Sequence, residues 1–556
     1  MKKTFAIFGI KDRFQSDYPG YVHDHNLCVM QDGRIVHYLQ LERYTRRKYD
    51  NRLDAYIEEL FDKVLLNLSD EFDIVSVNSF VGNSFISKTG RLRVDVIPFP
   101  KIDGESQKAY AWFEENQFNG KEINAFSVSH ELAHVFSNIP FHGMFKENSL
   151  LVHFDGGASL SNFSAFTFRN NRVEQVEAHW ELSHLSKFFN DNALNFAILG
   201  AEQKEHTSVP GKLMGYASFG RYDERIELWL KGNAYFKDIW NNPEIFFKSA
   251  GNVFNLNINK FDTKNEFLQD VAATFQHMFV RETIAKISEL QRKTKTDYLY
   301  YSGGSALNIV TNSSLVESGI FKDIFIPPVC NDSGLSIGAA AFLEWKKGNT
   351  ILKHKPYLND VACDFEPVER YDKELIARTS ELLLQKRIIG VANGYSEAGP
   401  RALGNRSILA LADSKELAVQ VSTVCKQREW YRPIAPVMLK EVAEMVTGKE
   451  MHHLSKYMLL DYKILPKYRK QLEGIVHING TARIQTMEKR EENPFIYDLL
   501  TYIWEKHHIL GLINTSFNAK GEPIVHTKKE ALNSAKNMGL DAVIIDYEFI
   551  PLKNEL

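Results

Sequence analysis

The chain has 556 residues, enough for two large domains or three to four of ordinary size. Its 67 lysines and arginines nearly balance 70 aspartates and glutamates, and a formal net charge of −3 excludes a strongly basic nucleic-acid coat and an acidic tail. Four widely spaced cysteines without a CxxC pair argue against a disulfide scaffold or a cysteine-zinc site. Because no apolar stretch reaches about 18 residues, we expect a soluble cytoplasmic protein without a membrane partner.

Short apolar runs that end in Gly, Asp or Asn recur along the first two thirds of the chain. We expect a buried strand at 5–10, a hairpin at 26–39 that turns at 31–33, and strands at 150–154 and 298–301 that each run into a Gly-Gly loop. Helical patterns at 267–290 and 374–385 complete an α/β chain with crossovers.

The pattern breaks between residues 345 and 369, where a lysine-rich stretch has no clear period. We therefore divide the chain into domains at 1–355 and 356–556. The second domain is also expected to be α/β, with strands at 388–394, 474–480, 510–516 and 541–547.

The sharpest local pattern is His130-Glu131-Leu132-Ala133-His134. On a helix, side chains at i and i+4 share a face, so both imidazoles can bind one metal ion. With Glu131 as a base this pattern is typical of a zinc metalloprotease, one of our alternatives. The longer HExxHxxGxxH pattern is absent, because Ser137 and Pro140 stand where its glycine and third histidine would be.

Two aspartates offer a different completion of this site. Asp155 opens a Gly-Gly loop at a strand end, and Asp332 precedes the small-residue run SIGAAA at 336–341. Two histidines with one or two carboxylates suit iron(II), manganese or zinc and leave positions open for a substrate oxygen.

The Gly-Gly loops at 156–157 and 303–304 also favour an anion site, because exposed backbone N–H groups can cradle phosphate. Neither loop satisfies GxGxxG or GxxxxGK[ST], which disfavours a Rossmann site and a P-loop. Two such loops would fit a nucleotide held in a cleft between two lobes.

Cations gather on the motif loops of the second domain, interleaved with strand ends. Arginine-rich loops bind planar anions in a bidentate manner, so this pattern predicts a phosphate-binding basin. Its candidates are Arg401, Arg406, Lys426, Arg428, Arg432 and Arg483, followed by the polar segment 514–518.

Several strings together resemble the O-carbamoyltransferase family, which includes nodulation protein U and the cephalosporin and tobramycin carbamoyltransferases. The resemblance spans almost the whole chain. Its strings are LERYTRRKYD (41–50), the histidine pair, GPRALGNRS (399–407), KQREWYRPIAP (426–436), HINGTARIQT (477–486) and NTSFNAKGEPIV (514–525).

The resemblance implies an actin/hexokinase-like two-lobed first domain, similar to the tRNA threonylcarbamoyl-transferase subunit, and a YrdC-like second domain. In this family carbamoyl phosphate and ATP give carbamoyl-adenylate in the second domain, and the first domain transfers the carbamoyl group to a hydroxyl, releasing AMP. It further implies Mg²⁺ with ATP, a resident divalent metal with Fe²⁺ ahead of Mn²⁺ or Zn²⁺, and an acceptor such as a natural product, sugar or modified nucleoside. A homodimer is a further expectation.

The family's site residues map onto this chain position by position. We expect His23, Lys426 and Arg428 to be catalytic, with His23 the base for the acceptor hydroxyl. The expected metal ligands are His130, His134, Asp155 and Asp332. Nucleotide and carbamoyl phosphate contacts fall on Arg401, Arg406, Arg432, Arg483, Ser516, Asn518, Gly156, Gly157, Gly303, Gly304 and Asn308.

Some positions depart from the family pattern. Asn479 replaces an aspartate, Pro210 replaces an acidic residue, and Cys330-Asn331 replaces a small-residue and glycine pair. These departures indicate a divergent member with an unusual acceptor. A non-catalytic nucleotide-binding regulator is a further alternative, although it would not explain the cations of the second domain.

Overall fold

The computed structural model describes residues 2–10, 22–64, 71–79, 81–96, 107–116, 119–182, 185 and 192–553. Within them, a ten-stranded, a five-stranded and a seven-stranded sheet form the frame of the molecule. None of the helices in these ranges is both long and apolar enough to cross a membrane.

The first lobe is a mixed sheet in which β1 lies between antiparallel β2 and parallel β4. Its order is β3-β2-β1-β4-β8, extended beyond β8 by β7, β6 and β5. The strands are β1 Lys3–Phe8, β2 Asn26–Gln31, β3 Arg34–Gln40, β4 Phe72–Val77, β5 Ser84–Ile86, β6 Leu92–Asp95, β7 Gln107–Asn116 and β8 Asn119–Val128.

The second lobe repeats this plan with five strands in the order β11-β10-β9-β12-β13. Again the first strand pairs antiparallel with the second and parallel with the fourth, which confirms the expected actin/hexokinase-like pair of lobes. The strands are β9 Ser149–Phe154, β10 Phe163–Arg169, β11 Arg172–His179, β12 Tyr298–Ser302 and β13 Asp323–Phe325.

The third sheet belongs to the C-terminal part and has the order β21-β18-β22-β17-β15-β23-β24, which confirms α/β structure there. Its likeness to the YrdC fold stays a prediction. The strands are β15 Ile389–Ala392, β17 Arg406–Leu411, β18 Ala435–Leu439, β21 Gln485–Met487, β22 Leu512–Ser516, β23 Ala542–Ile545 and β24 Glu548–Pro551, with β19 Tyr462–Lys463 and β20 Thr481–Ala482 as a separate pair.

Two short strands tie the C-terminal part to the first lobe. β14 Tyr357–Asn359 pairs with β3, and β16 Ser396–Glu397 pairs with β14, so both join the first sheet although they follow residue 355. The division of the chain near residue 355 stays a prediction.

Helices cover the sheets and connect their strands. The α-helices are Leu41–Thr45, Leu53–Lys63, His130–Phe136, Ile139–His142, Ala193–Leu199, Val209–Ala217, Glu224–Gly232, Pro243–Phe254, Glu266–Thr294, Ile309–Glu317, Leu335–Lys346, Lys373–Leu384, Lys415–Val419, Lys440–Thr447, Pro494–His507 and Lys528–Asn537.

Most predicted elements are confirmed, but residues 474–480 form turns rather than a strand. The N–H of Gly474 donates to the carbonyl of Ala412 (3.0 Å), and Ile475 packs into the core from this turn. The apolar run at 474–480 therefore predicted burial correctly, but its backbone forms turns instead of the expected strand.

The small-residue run at 336–341 has a packing role. A Cβ on Gly338 would lie 1.7 Å from the carbonyl oxygen of Ala133, so the helix Leu335–Lys346 approaches the helix His130–Phe136 at backbone distance. This contact sets Asp332, just before the one helix, against the histidines of the other.

Two buried histidines make the stability of the fold depend on pH. Burial, above all, lowers the pKa of His142 and of His526 from 6.5 to about 3, because the bonds that their Nε2–H groups donate to the carbonyls of Ile326 and Val361 only partly offset it. As pH falls below 6.5, the unfolded chain binds these protons first, so the folded state loses stability until about pH 3.

We expect each histidine to remove about 2 kcal/mol of stability between pH 7 and pH 5. Urea unfolding at the two pH values measures the loss, and His526→Gln should reduce it by about that amount. His507→Gln, a substitution of an exposed histidine in the same part of the chain, is the control. An unchanged pH slope in His526→Gln would contradict the assignment.

Candidate active site

Four predicted metal-binding side chains converge where the two lobes meet. His130 and His134 share one face of their helix, with Nε2 atoms 3.1 Å apart. Asp155 follows β9, and its Oδ2 lies 3.4 Å from Nε2 of His134. Oδ1 of Asp332 lies 3.3 Å from Nε2 of His134 and 3.6 Å from Nε2 of His130. The structure thus brings together residues from three separate segments.

These separations fit a divalent cation. Four nitrogen and oxygen ligands at about 2.1 Å from a common centre stand about 3.0 to 3.5 Å apart. His134 is wholly buried, and burial lowers its pKa, yet Asp155 and Asp332 outweigh burial and raise it to about 9. The cluster thus stabilises a positive charge at its centre.

Glu131, the base of the protease alternative, points away from this centre. Its buried Oε1 accepts bonds from the N–H groups of Leu160 (2.8 Å) and Ser161 (3.1 Å) and from the Ser161 hydroxyl (3.3 Å). One carboxylate oxygen of Glu131 is thus engaged in holding a loop, and the HExxH pattern here brings its two histidines to the cluster.

Asp155 also joins the two Gly-Gly loops. Its Oδ1 accepts from the N–H of Gly156 and its Oδ2 from the N–H of Gly304, each at 2.6 Å. Gly303 has φ +101°, and a Cβ there would lie 2.1 Å from the carbonyl oxygen of Phe154, so only glycine fits.

The remaining predicted nucleotide contacts divide between the cleft and its surroundings. Gly156, Gly304 and Asn308 line the same cleft as His23. Asn308 also caps the helix Ile309–Glu317 and exchanges two hydrogen bonds of 3.1 Å with Gln276. Gly157 lies next to the ring of Trp180 instead.

His23 stands at this cleft with its Nδ1 3.0 Å from Oδ2 of Asp24. Burial lowers its pKa, but the bond to Asp24 and the charges of Asp332, Asp24 and Asp155 raise it to about 9. A cation at the cluster would offset the charges of Asp332 and Asp155. It would thereby lower the pKa of His23.

In the C-terminal part, Lys426, Arg428, Ser516 and Asn518 meet in one hydrogen-bonded group. The ammonium of Lys426 donates to the Asn518 carbonyl (2.6 Å) and Oδ1 (3.0 Å) and to the backbone carbonyl of Ser516. The Ser516 hydroxyl donates to Asn518 Oδ1 (2.6 Å) and accepts from Arg428 (3.4 Å). The structure thus brings together Lys426 and Ser516, which are 90 positions apart in the sequence.

Four arginines line a cavity beside this group: Arg401, Arg428, Arg432 and Arg483. Burial, followed by the charges of Arg401, Arg428 and Arg432, lowers the pKa of Arg483 well below its usual range. Burial and the neighbouring arginines act on Arg401 and Arg428 in the same way. Such mutual repulsion favours binding of a multiply charged anion.

Arg406 does not belong to this cavity, contrary to prediction. Its guanidinium is fully buried, stacks at 4.0 Å on Phe365, and donates to the carbonyls of Asn393 (3.0 Å), Asn405 (2.8 Å) and Val525 (3.1 Å). It holds loops together, because the first residue of β17 turns its side chain into the core.

The cleft of His23, which Asp155 also lines, shares a wall with the arginine cavity. Arg401 and Arg432 line both the cleft of His23 and the cavity of Arg483. Two residues that the sequence reasoning passed over, Lys48 and Tyr49, line the same cleft. Both residues lie within the basic run at 43–52, which is the sequence feature that could have indicated them.

Two arginines of that run make contacts inside the protein. Arg43 is buried and donates to the carbonyl of Gly399 (3.0 Å), and Arg46 donates to those of Pro523 (2.9 Å) and Ile524 (2.7 Å). These arginines fasten the first lobe to the C-terminal loops beside Asn518.

Among the departures from the resemblance, Pro210 and Asn331 line the cleft of His23, and Asn479 lines the arginine cavity. The Asn479 side chain bonds within its own loop, to the N–H (3.1 Å) and hydroxyl (2.9 Å) of Thr481. Cys330 is buried in the core of the second lobe.

Comparison with known proteins identifies two family models. The model described as carbamoyltransferase N-terminus matches residues 17–341, and the one described as carbamoyltransferase C-terminus matches residues 380–551.

Among curated relatives, the nodulation protein NolNO of Sinorhizobium fredii is 26% identical, covering 94% of this chain and 78% of the relative. Nodulation protein U of Azorhizobium caulinodans is also 26% identical, covering 90% of this chain and 92% of the relative. Among solved structures, full-length HypF in its phosphate- and nucleotide-bound form gives a TM-score of 0.31 at 12% identity, covering 63% of this chain and 56% of HypF.

Proposed function

The chain belongs to the carbamoyltransferase family, and we propose that it uses ATP to transfer a carbamoyl group from carbamoyl phosphate to an acceptor hydroxyl. The observation that carries the proposal is the shared wall between a cavity lined by four arginines and the cleft of His23. Asp155 lines that cleft and also belongs to the His/Asp cluster, which is formed by His130, His134, Asp155 and Asp332. The arginine cavity suits binding of phosphate groups, and the cleft of His23 suits transfer of the carbamoyl group.

In the first stage, water splits carbamoyl phosphate into carbamate and phosphate. A carbamate oxygen then attacks the α-phosphorus of ATP, so that carbamoyl-adenylate forms and pyrophosphate leaves. Both substrates are multiply charged anions, and fixed cations offset their repulsion and the charge that develops on the phosphoryl oxygens. Lys426 and Arg428 act at the reacting groups, Ser516 and Asn518 orient Lys426, and Arg401, Arg432 and Arg483 bind the phosphates of the ATP that enters with Mg²⁺.

In the second stage, the acceptor hydroxyl attacks the carbamoyl carbon in the cleft and AMP leaves. His23 takes the proton from that hydroxyl, and Gly156, Gly304 and Asn308 contact the nucleotide. His130, His134, Asp155 and Asp332 would hold a divalent metal, Fe²⁺ before Mn²⁺ or Zn²⁺, which supplies a Lewis acid for a phosphate or carbonyl oxygen.

The cleft beside His23 bears on the acceptor. It combines apolar side chains, Met214, Phe279 and Leu307, with the polar groups of Tyr49 and Ser208. Such a lining suits a natural product, sugar or modified nucleoside with a hydroxyl at its edge. Cytoplasmic location and a homodimer stay predictions.

The test is an assay of the purified chain with ATP, Mg²⁺ and carbamoyl phosphate. We expect pyrophosphate release only when carbamoyl phosphate is present, and mass spectrometry of a panel of hydroxyl compounds should find one added carbamoyl group on the true acceptor. Pyrophosphate release at the same rate with and without carbamoyl phosphate would refute the proposal. ATP binding without turnover would favour the alternative of a non-catalytic nucleotide-binding regulator. Peptide cleavage that a chelator abolishes would favour the alternative of a zinc metalloprotease.

A further inference from the structure

A third histidine lies directly against the His/Asp cluster. His153 is on β9, two residues before Asp155, so both side chains emerge on the same face of the strand. It is wholly buried, as are its apolar neighbours on β9. The sequence does not single out this residue, because a lone histidine in an apolar strand carries no spacing signal.

The ring of His153 is placed to reach the cluster. It stacks on the ring of His134 with centroids 5.1 Å apart and planes inclined by 25°, and its centroid lies 6.2 Å from that of His130. A ring nitrogen of His153 lies within 4.8 Å of ligand atoms of His130, His134 and Asp155. This distance is within the reach of a small side-chain rotation around a shared ion.

Neither ring nitrogen of His153 has a hydrogen-bond partner within the described part of the chain. Its register neighbours on the adjacent strands, Ser164 and Ser302, are engaged elsewhere. The Ser164 hydroxyl bonds to that of Ser161 (2.5 Å), and the Ser302 hydroxyl accepts from Asn138 (3.0 Å).

An unpartnered polar group in the interior is destabilising, and an apolar side chain at the same position would avoid that cost. The imidazole therefore destabilises the metal-free protein, and a bound metal that accepts its lone pair would remove this destabilisation. The cluster beside it supplies the place where such a ligand would bind.

We propose that His153 is a further ligand of the divalent metal at His130, His134, Asp155 and Asp332, binding it through one ring nitrogen. The inference rests on the proposed metal site. A set of three imidazoles and two carboxylates favours nitrogen-preferring metals such as Fe²⁺, Co²⁺ and Zn²⁺ over Mg²⁺ and Mn²⁺.

The first test compares metal binding by the full chain and by His153→Leu, both freed of metal and titrated calorimetrically with Co²⁺ and then Mn²⁺. We expect the variant to bind Co²⁺ about 10- to 100-fold more weakly, with a smaller loss for Mn²⁺. His142→Gln, which alters a buried histidine outside the cluster, is the matched control and should bind as wild type does. Equal Co²⁺ affinity in His153→Leu would overturn the proposal.

Thermal unfolding separates a ligand from a packing residue. If His153 is a ligand, metal-free His153→Leu melts at or above the temperature of the metal-free wild type, and the rise in Tm on adding Co²⁺ shrinks. A lower Tm without metal together with an unchanged rise would assign the residue to packing and overturn the inference.

A measurement on the wild type does not depend on the folding of any variant. X-ray absorption of the Co²⁺ form should show three imidazole ligands, and two would exclude His153. Failure of the wild type to bind Co²⁺ at all would refute the metal site of the proposed function, and this inference with it. Binding through two imidazoles would refute the inference alone.

Discussion

Replacement of Lys426 by alanine is expected to reduce carbamoyl-phosphate-dependent pyrophosphate release by about 100- to 1000-fold, the usual effect of losing one preorganised electrostatic contact. Lys426 is 2% exposed, and its ammonium joins Ser516 to Asn518. Arg428→Ala should act in the same direction because its guanidinium bonds the same serine.

The expected stability of these variants separates catalysis from folding. Burial and the charges of Arg428, Lys48 and Arg432 hold the pKa of Lys426 well below its usual range. Removing the side chain relieves that repulsion but also removes the donor of the bonds to Ser516 and Asn518, so Lys426→Ala should melt near the wild-type temperature. Lys415→Ala, which removes an exposed lysine, is the control for both activity and Tm. Undiminished pyrophosphate release in Lys426→Ala would remove this group from the first stage.

Elements with buried, periodic side chains were predictable from the sequence, and for a physical reason. In β1, Phe5 and Ile7 pack into one core while Ala6 and Phe8 pack into another, so the strand had to be an unbroken apolar run. The strand predicted at 474–480 was wrong because apolar composition indicates that a segment is buried and does not determine its backbone conformation.

The candidate site was predictable where its residues were close in sequence or carried by a motif. The i, i+4 spacing of His130 and His134 predicts that both side chains lie on one face of a helix. Arg406 and Arg401 occupy one motif and have the same charge, yet one turns into the core and the other lines the cavity. Side-chain direction depends on strand register, which the motif does not encode, and for the same reason His153 could not be found from sequence.

Replacement of His134 by alanine is expected to remove the metal from the protein. His134 is wholly buried, and its Nε2 lies within 3.1 to 3.4 Å of His130, Asp155 and Asp332, so it is the one side chain that touches each of the others. We expect elemental analysis of the purified chain to fall from about one metal ion to nearly none, because losing even a supporting group costs about 10- to 100-fold in affinity.

The same variant should separate the two stages of the reaction. Pyrophosphate release depends on the arginine cavity and should persist, whereas carbamoylation of the acceptor should be lost. Glu131→Gln is the matched control on the same helix, because glutamine keeps an oxygen to accept the bonds from Leu160 and Ser161. It should retain the metal and both stages. Loss of pyrophosphate release in His134→Ala, with an unchanged Tm, would mean that the cluster takes part in forming the adenylate, and the assignment of one stage to each site would fall.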